Sequence, residues 1–236
     1  MNERETLTAR LLHKQVLSQA SQTFHLEFAV DAEFTFTPGQ FISVLAQRTL
    51  PPEHPRAGEI RIDTRAYSLA SAPHEGKIEL CVNRVQTEGS AGFFSNLLCD
   101  LEPGAEVEFH GPHGNFMLRG VSGPVLFLAE ETGIAPVRSI LQASPQLRGC
   151  LVQSSTAPGP ALYGDEFAAL STLSYQPVAD GPDHAASLAA ADAALLAQSA
   201  IREAYIVGLS GFVNAHRAHL KELGWDRKQI VFERYD

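Results

Sequence analysis

Pro124-Val125-Leu126-Phe127-Leu128-Ala129 is an uninterrupted apolar stretch, and Glu130-Glu131-Thr132-Gly133-Ile134-Ala135-Pro136 follows it directly. An apolar run of this length is typical of a strand that is buried on both faces, as in a parallel sheet covered by helices. Residues 135–143 then predict a helix. This order of strand, turn and helix predicts that an α/β domain begins here.

Predicted strands and helices alternate from this point to the end of the sequence. The later strands are predicted at residues 150–152, 173–178, 205–208 and 229–232, and the later helices at 164–170, 185–200 and 213–223. Regular alternation of strands and helices favours a parallel sheet. We therefore predict a parallel α/β domain over residues 120–236.

The first half of the sequence has a different pattern, in which apolar and polar residues alternate. The clearest examples are residues 23–30, 77–83 and 106–110. Alternation with a period of two is typical of half-buried antiparallel strands. Turn-forming clusters such as residues 37–40 and 102–104 separate these stretches. Six or so short strands at this spacing predict a small barrel or sandwich.

The charge balance excludes some classes of function. The 236 residues include 18 basic and 27 acidic side chains, which gives a net charge of −9. A nucleic-acid-binding protein usually carries a basic face, and no run of lysine or arginine occurs here. The longest apolar-rich stretch, residues 185–200, contains Asp192 and is mostly alanine, so no membrane span is predicted. Because the sequence starts with charged residues, we expect a cytoplasmic protein.

The spacing of cysteine and histidine gives no indication of a metal site. The three cysteines, at positions 81, 99 and 150, lie far apart and form no CxxC pair. This spacing argues against a disulfide framework, a zinc site and a cysteine-ligated iron–sulfur cluster. His216 and His219 lie one helical turn apart without a third ligand, so a solvated helix face is the simpler interpretation. We predict no metal centre.

Five short motifs occur in order along the chain. They are Pro38-Gly39-Gln40-Phe41, Arg65-Ala66-Tyr67-Ser68-Leu69-Ala70-Ser71, Gly92-Phe93-Phe94-Ser95-Asn96, Thr132-Gly133-Ile134-Ala135-Pro136-Val137-Arg138-Ser139 and Glu233-Arg234-Tyr235. Together they resemble the ferredoxin–NADP⁺ reductase family, whose flavin motif is R-x-Y-S-x-x-S. The resemblance implies two domains. An antiparallel β-barrel that binds FAD is expected over residues 1–119, and a parallel α/β domain of the NAD(P)-binding type over residues 120–236.

The second motif implies which residues of the first domain bind the flavin. The planar fork of Arg65 suits phosphate oxygens, and Ala66 follows it on the same strand. Tyr67 offers a flat surface on which a flavin ring can stack. Ser68 can direct its hydroxyl toward the ring nitrogen that exchanges hydride, which makes it a candidate catalytic residue. Taken alone, this motif is also compatible with an ordinary strand that carries an exposed arginine.

The third motif implies a phosphate site at the start of a helix. Free N–H groups and the positive end of the helix dipole favour a pyrophosphate beside Gly92, Phe93 and Phe94, and Ser95 adds a hydroxyl donor. Because the family mostly uses FAD, we expect FAD. Plant-type members also carry a tyrosine that stacks on the adenine, but residues 86–88 contain no aromatic residue. FMN therefore stays open as the less favoured flavin.

The fourth motif implies that Thr132 and Gly133 bind the nicotinamide cofactor, but the residues before them depart from the family pattern. Glu130 and Glu131 stand where the family has a glycine-rich turn. Glycines let the backbone approach a pyrophosphate closely. A like-charge contact there costs on the order of 1 kcal/mol. The two carboxylates therefore predict weakened NAD(P)H binding, unless their side chains turn away.

Two further departures affect the choice of nicotinamide cofactor. Val207 stands where the family usually has a cysteine beside the nicotinamide ring. Plant-type members place Ser and Arg on the 2′-phosphate of NADP, whereas the matching positions here hold Ala179 and Asp180. A carboxylate repels a 2′-phosphate but can accept a hydrogen bond from a ribose hydroxyl. We therefore expect NADH to be favoured over NADPH.

The fifth motif implies two more candidate catalytic residues. Tyr235 is expected to stack on the outer face of the flavin, where the nicotinamide must approach for hydride transfer, so that it acts as a gate. Glu233 is expected to assist proton balance near the ring. The alternative for Tyr235 is a frayed residue near the end of the chain.

These residues predict a flavoprotein oxidoreductase that moves electrons between NAD(P)H and an electron carrier through bound FAD. Ferredoxin, flavodoxin or another redox protein is the expected partner, and four basic residues are candidates for contacting it: Arg56, Arg61, Lys77 and Arg119. The alternative is an FAD-bearing electron-transfer subunit with a degenerate nicotinamide site, which exchanges electrons with a protein partner only.

Overall fold

The computed structural model describes residues 5–31, 33–50, 52–53, 55–74, 76–85, 92–120 and 123–235, and it contains two β-sheets that follow one another along the chain. The first sheet is antiparallel and the second is parallel, as the sequence predicts. None of the helices within these residues is long and apolar enough to cross a membrane.

The first sheet has six strands in the order β4-β3-β6-β1-β2-β5. The strands are β1 (Leu7–Ser18), β2 (Thr23–Ala29), β3 (Phe41–Thr49), β4 (Ile60–Ser68), β5 (Lys77–Asn83) and β6 (Glu106–His113), and helix α1 (Phe93–Asp100) lies between β5 and β6 in sequence. The edge strands β4 and β5 meet at an isolated bridge between Leu69 and Leu80. The sheet therefore curls toward a barrel, but hydrogen bonds do not close it along the length of these two strands. The predicted barrel is in this respect an open one.

The second sheet has five parallel strands in the order β11-β10-β7-β8-β9. The strands are β7 (Val125–Glu130), β8 (Gly149–Ser155), β9 (Leu173–Ala179), β10 (Glu203–Gly208) and β11 (Ile230–Arg234), with helices α2 (Ile134–Ala143), α3 (Gly164–Ala168), α4 (Ala185–Ala197) and α5 (Ser210–Glu222) between them. Helix α5 begins three residues before its predicted start, because the Val213 N–H already donates to the Leu209 carbonyl at 3.0 Å. Strand and helix alternate as predicted.

Strand β7 explains why the second domain folds around the apolar run. All six of its residues are buried. Phe127 and its neighbours on one face join a core with α2, whereas Leu126 and Leu128 join a second core with α4 and α5. A third core fills the first sheet. Each of the three cores contains one unpaired cysteine: Cys81, Cys150 and Cys99, respectively.

Candidate functional site

Strand β11 of the second sheet reaches strand β4 of the first sheet and brings four predicted site residues together. The Ser68 hydroxyl donates to Glu233 Oε1 at 2.9 Å. The Arg65 guanidinium donates to the Tyr235 carbonyl oxygen at 2.9 Å. The Tyr235 N–H donates in turn to the Gly208 carbonyl at 3.0 Å, which anchors the end of β11 to β10. Tyr235 is therefore held by hydrogen bonds from both sides and is not frayed.

Glu233 and Tyr235 lie in an environment that disfavours charge. Burial raises the pKa of Glu233, and the hydrogen bond from Ser68 offsets only part of that effect. Burial and the nearby Glu233 carboxylate raise the pKa of Tyr235. The Tyr235 hydroxyl is buried near the Ser68 side chain, but no hydrogen bond within 3.5 Å reaches it among the described residues. A buried polar atom without a partner is rare and marks a place where a bound group can supply one.

Ala66 and Tyr67 lie on β4 between Arg65 and Ser68. They pair with Ser43 and Ile42 on β3, so the strand holds the motif in an extended conformation. The Tyr67 ring packs against the core of the first sheet, as does Phe94 at the start of α1. Burial raises the pKa of Tyr67, and its hydroxyl stays neutral. Tyr67 thus presents a fixed, uncharged aromatic surface.

Helix α1 begins where the sequence predicts it. Gly92 at its N-cap has φ of 81°, and a Cβ at this position would lie 2.5 Å from Val85 Cβ, so the turn requires glycine. Glycine brings no capping side chain, which leaves the first-turn N–H groups of Phe93 and Phe94 without a side-chain cap. The Ser95 hydroxyl donates to the Gly92 carbonyl at 3.1 Å. Residues 86–88, where plant-type members have their tyrosine, lie outside the described residues.

Thr132 and Gly133 lie in a single 3₁₀ turn, residues Glu131–Gly133, between β7 and α2. A Cβ on Gly133 would lie 2.8 Å from the carbonyl oxygen of Val207 on β10. Glycine therefore allows the start of α2 to approach the end of β10 closely. Thr132 is half-buried at this edge of the parallel sheet.

The carboxylates of Glu130 and Glu131 both accept hydrogen bonds from the protein. Glu130 is 5% exposed, and its Oε2 accepts from the Leu209 N–H at 2.9 Å. Burial raises the pKa of Glu130, although the backbone hydrogen bond and the nearby His184 act in the opposite direction. Glu131 Oε1 accepts from the Thr156 N–H at 2.7 Å. Both side chains are thus directed at fixed donors within the fold.

A polar network that the sequence analysis did not assign joins the two sheets. Arg138 on α2 donates to Glu79 on β5 at 2.5 Å, to Glu166 on α3 at 2.7 Å and to the Ala70 carbonyl at 2.9 Å. Its guanidinium carbon also lies 4.4 Å from the centre of the Tyr163 ring. Arg138 belongs to the fourth motif, so the sequence indicates this residue. Its partners lie in distant segments of the chain, and no motif indicates them.

A cleft of about 850 Å³ opens between the first sheet and the carboxyl ends of β8 and β9. Its lining includes residues from both sheets, among them His25, Arg138, Gln153, Ser155, Tyr163 and Ala179. The Asp180 carboxylate lies beside this edge, where it accepts from the Ser154 hydroxyl at 3.1 Å and from the Ala186 N–H at 3.2 Å. Asp180 is thereby fixed at the start of α4. Ligands of open α/β sheets bind outside the carboxyl ends of the strands, and this cleft lies at that position.

Three of the four basic residues expected to contact a partner protein are already paired with carboxylates. Ion pairs join Arg56 to Glu59, Arg61 to Asp63 and Lys77 to Glu27. Their charges are locally compensated, so they do not form an uncompensated basic patch. A different pair of arginines, Arg217 and Arg234, flanks the exposed ring of Phe232, with guanidinium carbons 3.7 and 5.3 Å from its centre.

Comparison with known proteins agrees with this fold. The profile of the oxidoreductase FAD-binding domain family matches residues 8–118. Ferredoxin–NADP reductase B of Sorangium cellulosum (strain So ce56) is 40% identical over 146 residues, which cover 61% of this chain and 54% of that protein. The leaf-type chloroplastic ferredoxin–NADP reductase of Nicotiana tabacum is 37% identical over 51% of this chain and 35% of that protein. The matches therefore span about half or less of these relatives.

Solved structures with the same fold include two that cover nearly the whole chain. Ferredoxin–NADP⁺ reductase from Plasmodium falciparum with 2′P-AMP has a TM-score of 0.79 at 16% identity, and the match covers 98% of this chain and 97% of that one. The flavohem-like FAD/NAD-binding domain of nitric oxide dioxygenase from Vibrio cholerae O1 biovar El Tor has a TM-score of 0.75 at 19% identity over 98% and 99%. At these identities the likeness shows the fold.

The matched domain and the two-sheet architecture define an FAD-binding oxidoreductase fold. Over the matched residues the chain is similar to ferredoxin–NADP reductases, in agreement with the resemblance carried by the five ordered motifs.

Proposed function

We propose that the protein is an FAD-dependent oxidoreductase that moves electrons between NAD(P)H and a protein electron carrier such as ferredoxin or flavodoxin. The observation that carries this proposal is the junction of β4 and β11. There the Ser68–Glu233 and Arg65–Tyr235 hydrogen bonds join the matched FAD-binding domain to the α/β domain. The names of the relatives, ferredoxin–NADP reductases, support the substrate and the partner. We place the division between the two functional domains at residues 119 and 120.

We assign the flavin-holding role to residues of β4 and to the start of α1. Arg65 makes its described side-chain hydrogen bond to a backbone carbonyl, and no ion pair neutralises it among the described residues, so its fork suits a phosphate. The uncapped N–H groups at Phe93 and Phe94 supply further anion donors, and Ser95 lies on the same turn. Ala66 and Tyr67 supply strand backbone and an aromatic face. When bound, FAD accepts two electrons as a hydride and releases them singly.

We assign proton transfer to Ser68 and Glu233. Oxidation of one NADH by single-electron acceptors releases one proton, and that proton needs a base close to the reacting centre. The Ser68 hydroxyl already donates to Glu233 Oε1, so a proton lost by way of Ser68 reaches the carboxylate directly. The raised pKa of Glu233 makes it a better proton acceptor than an exposed carboxylate. Tyr235 is proposed to cover the same site as a gate.

We propose NADH as the favoured nicotinamide cofactor, bound at Thr132 and Gly133 and in the cleft beyond them. Ala179 lines this cleft and offers no charge to a 2′-phosphate. The Asp180 carboxylate lies next to it and repels such a group. The three unpaired, buried cysteines support a cytoplasmic location, because reduced thiols persist in a reducing compartment.

Anaerobic titration of the FAD-loaded protein tests the proposed reductase activity. We expect NADH to bleach the visible absorbance of the flavin, and we expect NADPH to require roughly tenfold or higher concentrations, because one unfavourable contact with the 2′-phosphate costs about 1.4 kcal/mol. Flavin that stays oxidised in an excess of both cofactors would instead support the subunit that exchanges electrons with proteins only. A protein that cannot be loaded with FAD would contradict the proposal as a whole.

The surface formed by Arg217, Phe232 and Arg234 supports an acidic carrier as the partner. Phe232 is 38% exposed, and none of the ion pairs in the described part of the chain involves either arginine. Burial and the neighbouring Arg234 and Arg227 lower the pKa of Arg217, as expected for crowded positive charges. An exposed aromatic side chain between two arginines is typical of interface centres.

Charge reversal at this surface should slow electron transfer to an acidic carrier. For Arg234→Glu we expect kcat/KM for an acidic ferredoxin to fall about tenfold at low salt, with a smaller loss at high salt because the interaction is screened. Flavin reduction by NADH should not change. Arg148→Glu, at an exposed position, is the matched control. If both variants behave alike, the carrier docks elsewhere.

A further inference from the structure

The backbone of Glu131 is strained and its carboxylate is unusually well bound. Its φ is 50°, in the left-handed region that residues other than glycine rarely adopt. Its Oε1 accepts from the Thr156 N–H at 2.7 Å and from the Thr156 hydroxyl at 3.0 Å. The Ser155 hydroxyl lies 3.3 Å from the same oxygen and 3.1 Å from the Ala157 carbonyl oxygen, and it can donate to either. Three donor groups thus converge on one carboxylate oxygen, and the surrounding contacts must offset the strain.

These three donors form a set that suits a phosphate group. A backbone N–H with two hydroxyls converging on one point is a typical arrangement for binding a phosphate oxygen. Ser155 ends β8 and Glu131 follows β7, and these two parallel strands are neighbours in the sheet. The donors therefore lie at the carboxyl edge of the sheet. Ser155 also lines the 850 Å³ cleft, so the set adjoins space that a ligand can enter.

Glu130 is more deeply buried than Glu131. The carboxylate of Glu130 is therefore fixed in the fold, whereas that of Glu131 can be displaced. Glu130 is 5% exposed and packs against Gly208. A Cβ on Gly208 would lie 2.7 Å from the Cβ of Glu130. Its bond to the Leu209 N–H fixes it at the start of α5. Glu131 is only half-buried and binds the loop that follows β8. Rotation of the Glu131 side chain would free all three donors without opening the core.

We propose that Ser155 and Thr156 form a binding site for the diphosphate group of a nucleotide, and that the Glu131 carboxylate occupies this site as an internal competitor. A nucleoside diphosphate must displace the carboxylate before its own oxygen can accept from the Thr156 N–H. The inference rests on the proposed function, because NADH is the ligand proposed to carry this diphosphate group. Glu131 thereby sets the affinity for the dinucleotide and opposes its entry when the site is empty.

Calorimetric titration of the FAD-loaded protein with ADP tests this site. Glu131→Gln removes the charge and keeps the length of the side chain, and Glu131→Gly also relieves the positive φ. We expect the Kd for ADP to fall about tenfold in Glu131→Gln, because a like-charge contact is removed, and at least as much in Glu131→Gly. Glu222→Gln, an equal change of charge at an exposed position, should leave the Kd unchanged.

A second set of variants identifies the donors and guards against effects on folding. FAD content and the melting temperature are compared for every variant. Adding Thr156→Ala to Glu131→Gly removes one hydroxyl donor, and we expect it to reverse several-fold of the gain in ADP affinity. An unchanged Kd in both Glu131 variants would overturn the proposal. So would a gain in affinity that Thr156→Ala leaves intact.

Flavin reduction by NADH, measured on the same samples, separates this inference from the proposed function. Tighter ADP binding in the Glu131 variants, without flavin reduction in any sample, would support the phosphate site and contradict the reductase activity. Equal flavin reduction in all samples, with an unchanged Kd for ADP, would support the reductase and overturn the role of Glu131. Tighter ADP binding together with a lower KM for NADH supports both.

Discussion

Replacing Arg138 by alanine should lower the free energy of unfolding by about 3 kcal/mol. Removing one partner from a buried ion-pair network typically costs about 3–5 kcal/mol, because the remaining charges lose their compensation. Glu79 and Glu166, the carboxylates that would be left, are 24% and 33% exposed, which places the expected cost at the lower end of this range. For a chain of this size, the melting temperature should fall by roughly 6–12 °C.

Thermal melts of the FAD-loaded protein measure this loss. Arg148→Ala, at an exposed position, is the control and should melt like the native protein. The network joins α2 to β5 and α3, so the two halves should also unfold less cooperatively in the Arg138 variant. Equal melting temperatures for the two variants would show that the network does not stabilise the fold.

Replacing Glu233 by glutamine should reduce steady-state turnover from NADH to a single-electron carrier by about 100-fold. Glutamine keeps the size and accepts the Ser68 hydrogen bond, but it cannot take up a proton, and positioned acid–base groups contribute 10²–10⁴-fold. Reduction of the flavin by NADH, measured by stopped-flow, needs no such proton acceptor and should change much less. A purely structural role would lower both rates and the FAD content together.

The pH dependence gives an independent test of the same residue. Glu233 acts as a base, so it is active when ionised, above its pKa. Because burial raises that pKa, turnover of the native protein should fall as the pH decreases toward and through the raised value, at a higher pH than for an ordinary glutamate. Glu233→Gln should lose this dependence, whereas Glu106→Gln, at an exposed position on β6, should retain it. A persisting pH profile in Glu233→Gln would assign the titration to another group.

Patterns in the sequence predict the five strands of the second sheet and three strands of the first, β2, β5 and β6, because periodicity reports burial directly. The apolar run of β7 predicts burial on both faces, and every residue of that strand is buried. The motifs also place the start of α1 at Gly92. The closure of the first sheet was not predictable in this way. Whether β4 and β5 pair along their length depends on sheet curvature, which no local pattern encodes.

Contacts between distant segments were also beyond the sequence. His216 was expected on a solvated helix face, but it is 1% exposed and its ring Nδ1 lies 2.9 Å from the Phe212 carbonyl oxygen. When both sequence neighbours of a histidine are small or polar, helical spacing alone does not show which face of the helix packs against the core. Glu131 is similar, because the sequence shows a carboxylate at the turn but not the Ser155 and Thr156 donors that bind it.

Labelling of the three buried cysteines can measure how often the protein opens locally. Burial raises the pKa of Cys81 to about 12 and of Cys99 to about 11, and it also raises the pKa of Cys150. Thiols in this state do not react with alkylating reagents until the surrounding core opens. Since each thiol belongs to a different core, the rate at which each becomes labelled in native buffer measures how often that core is breached. Comparing the three labelling rates thus shows which core opens most often, and whether bound flavin or nucleotide reduces that opening.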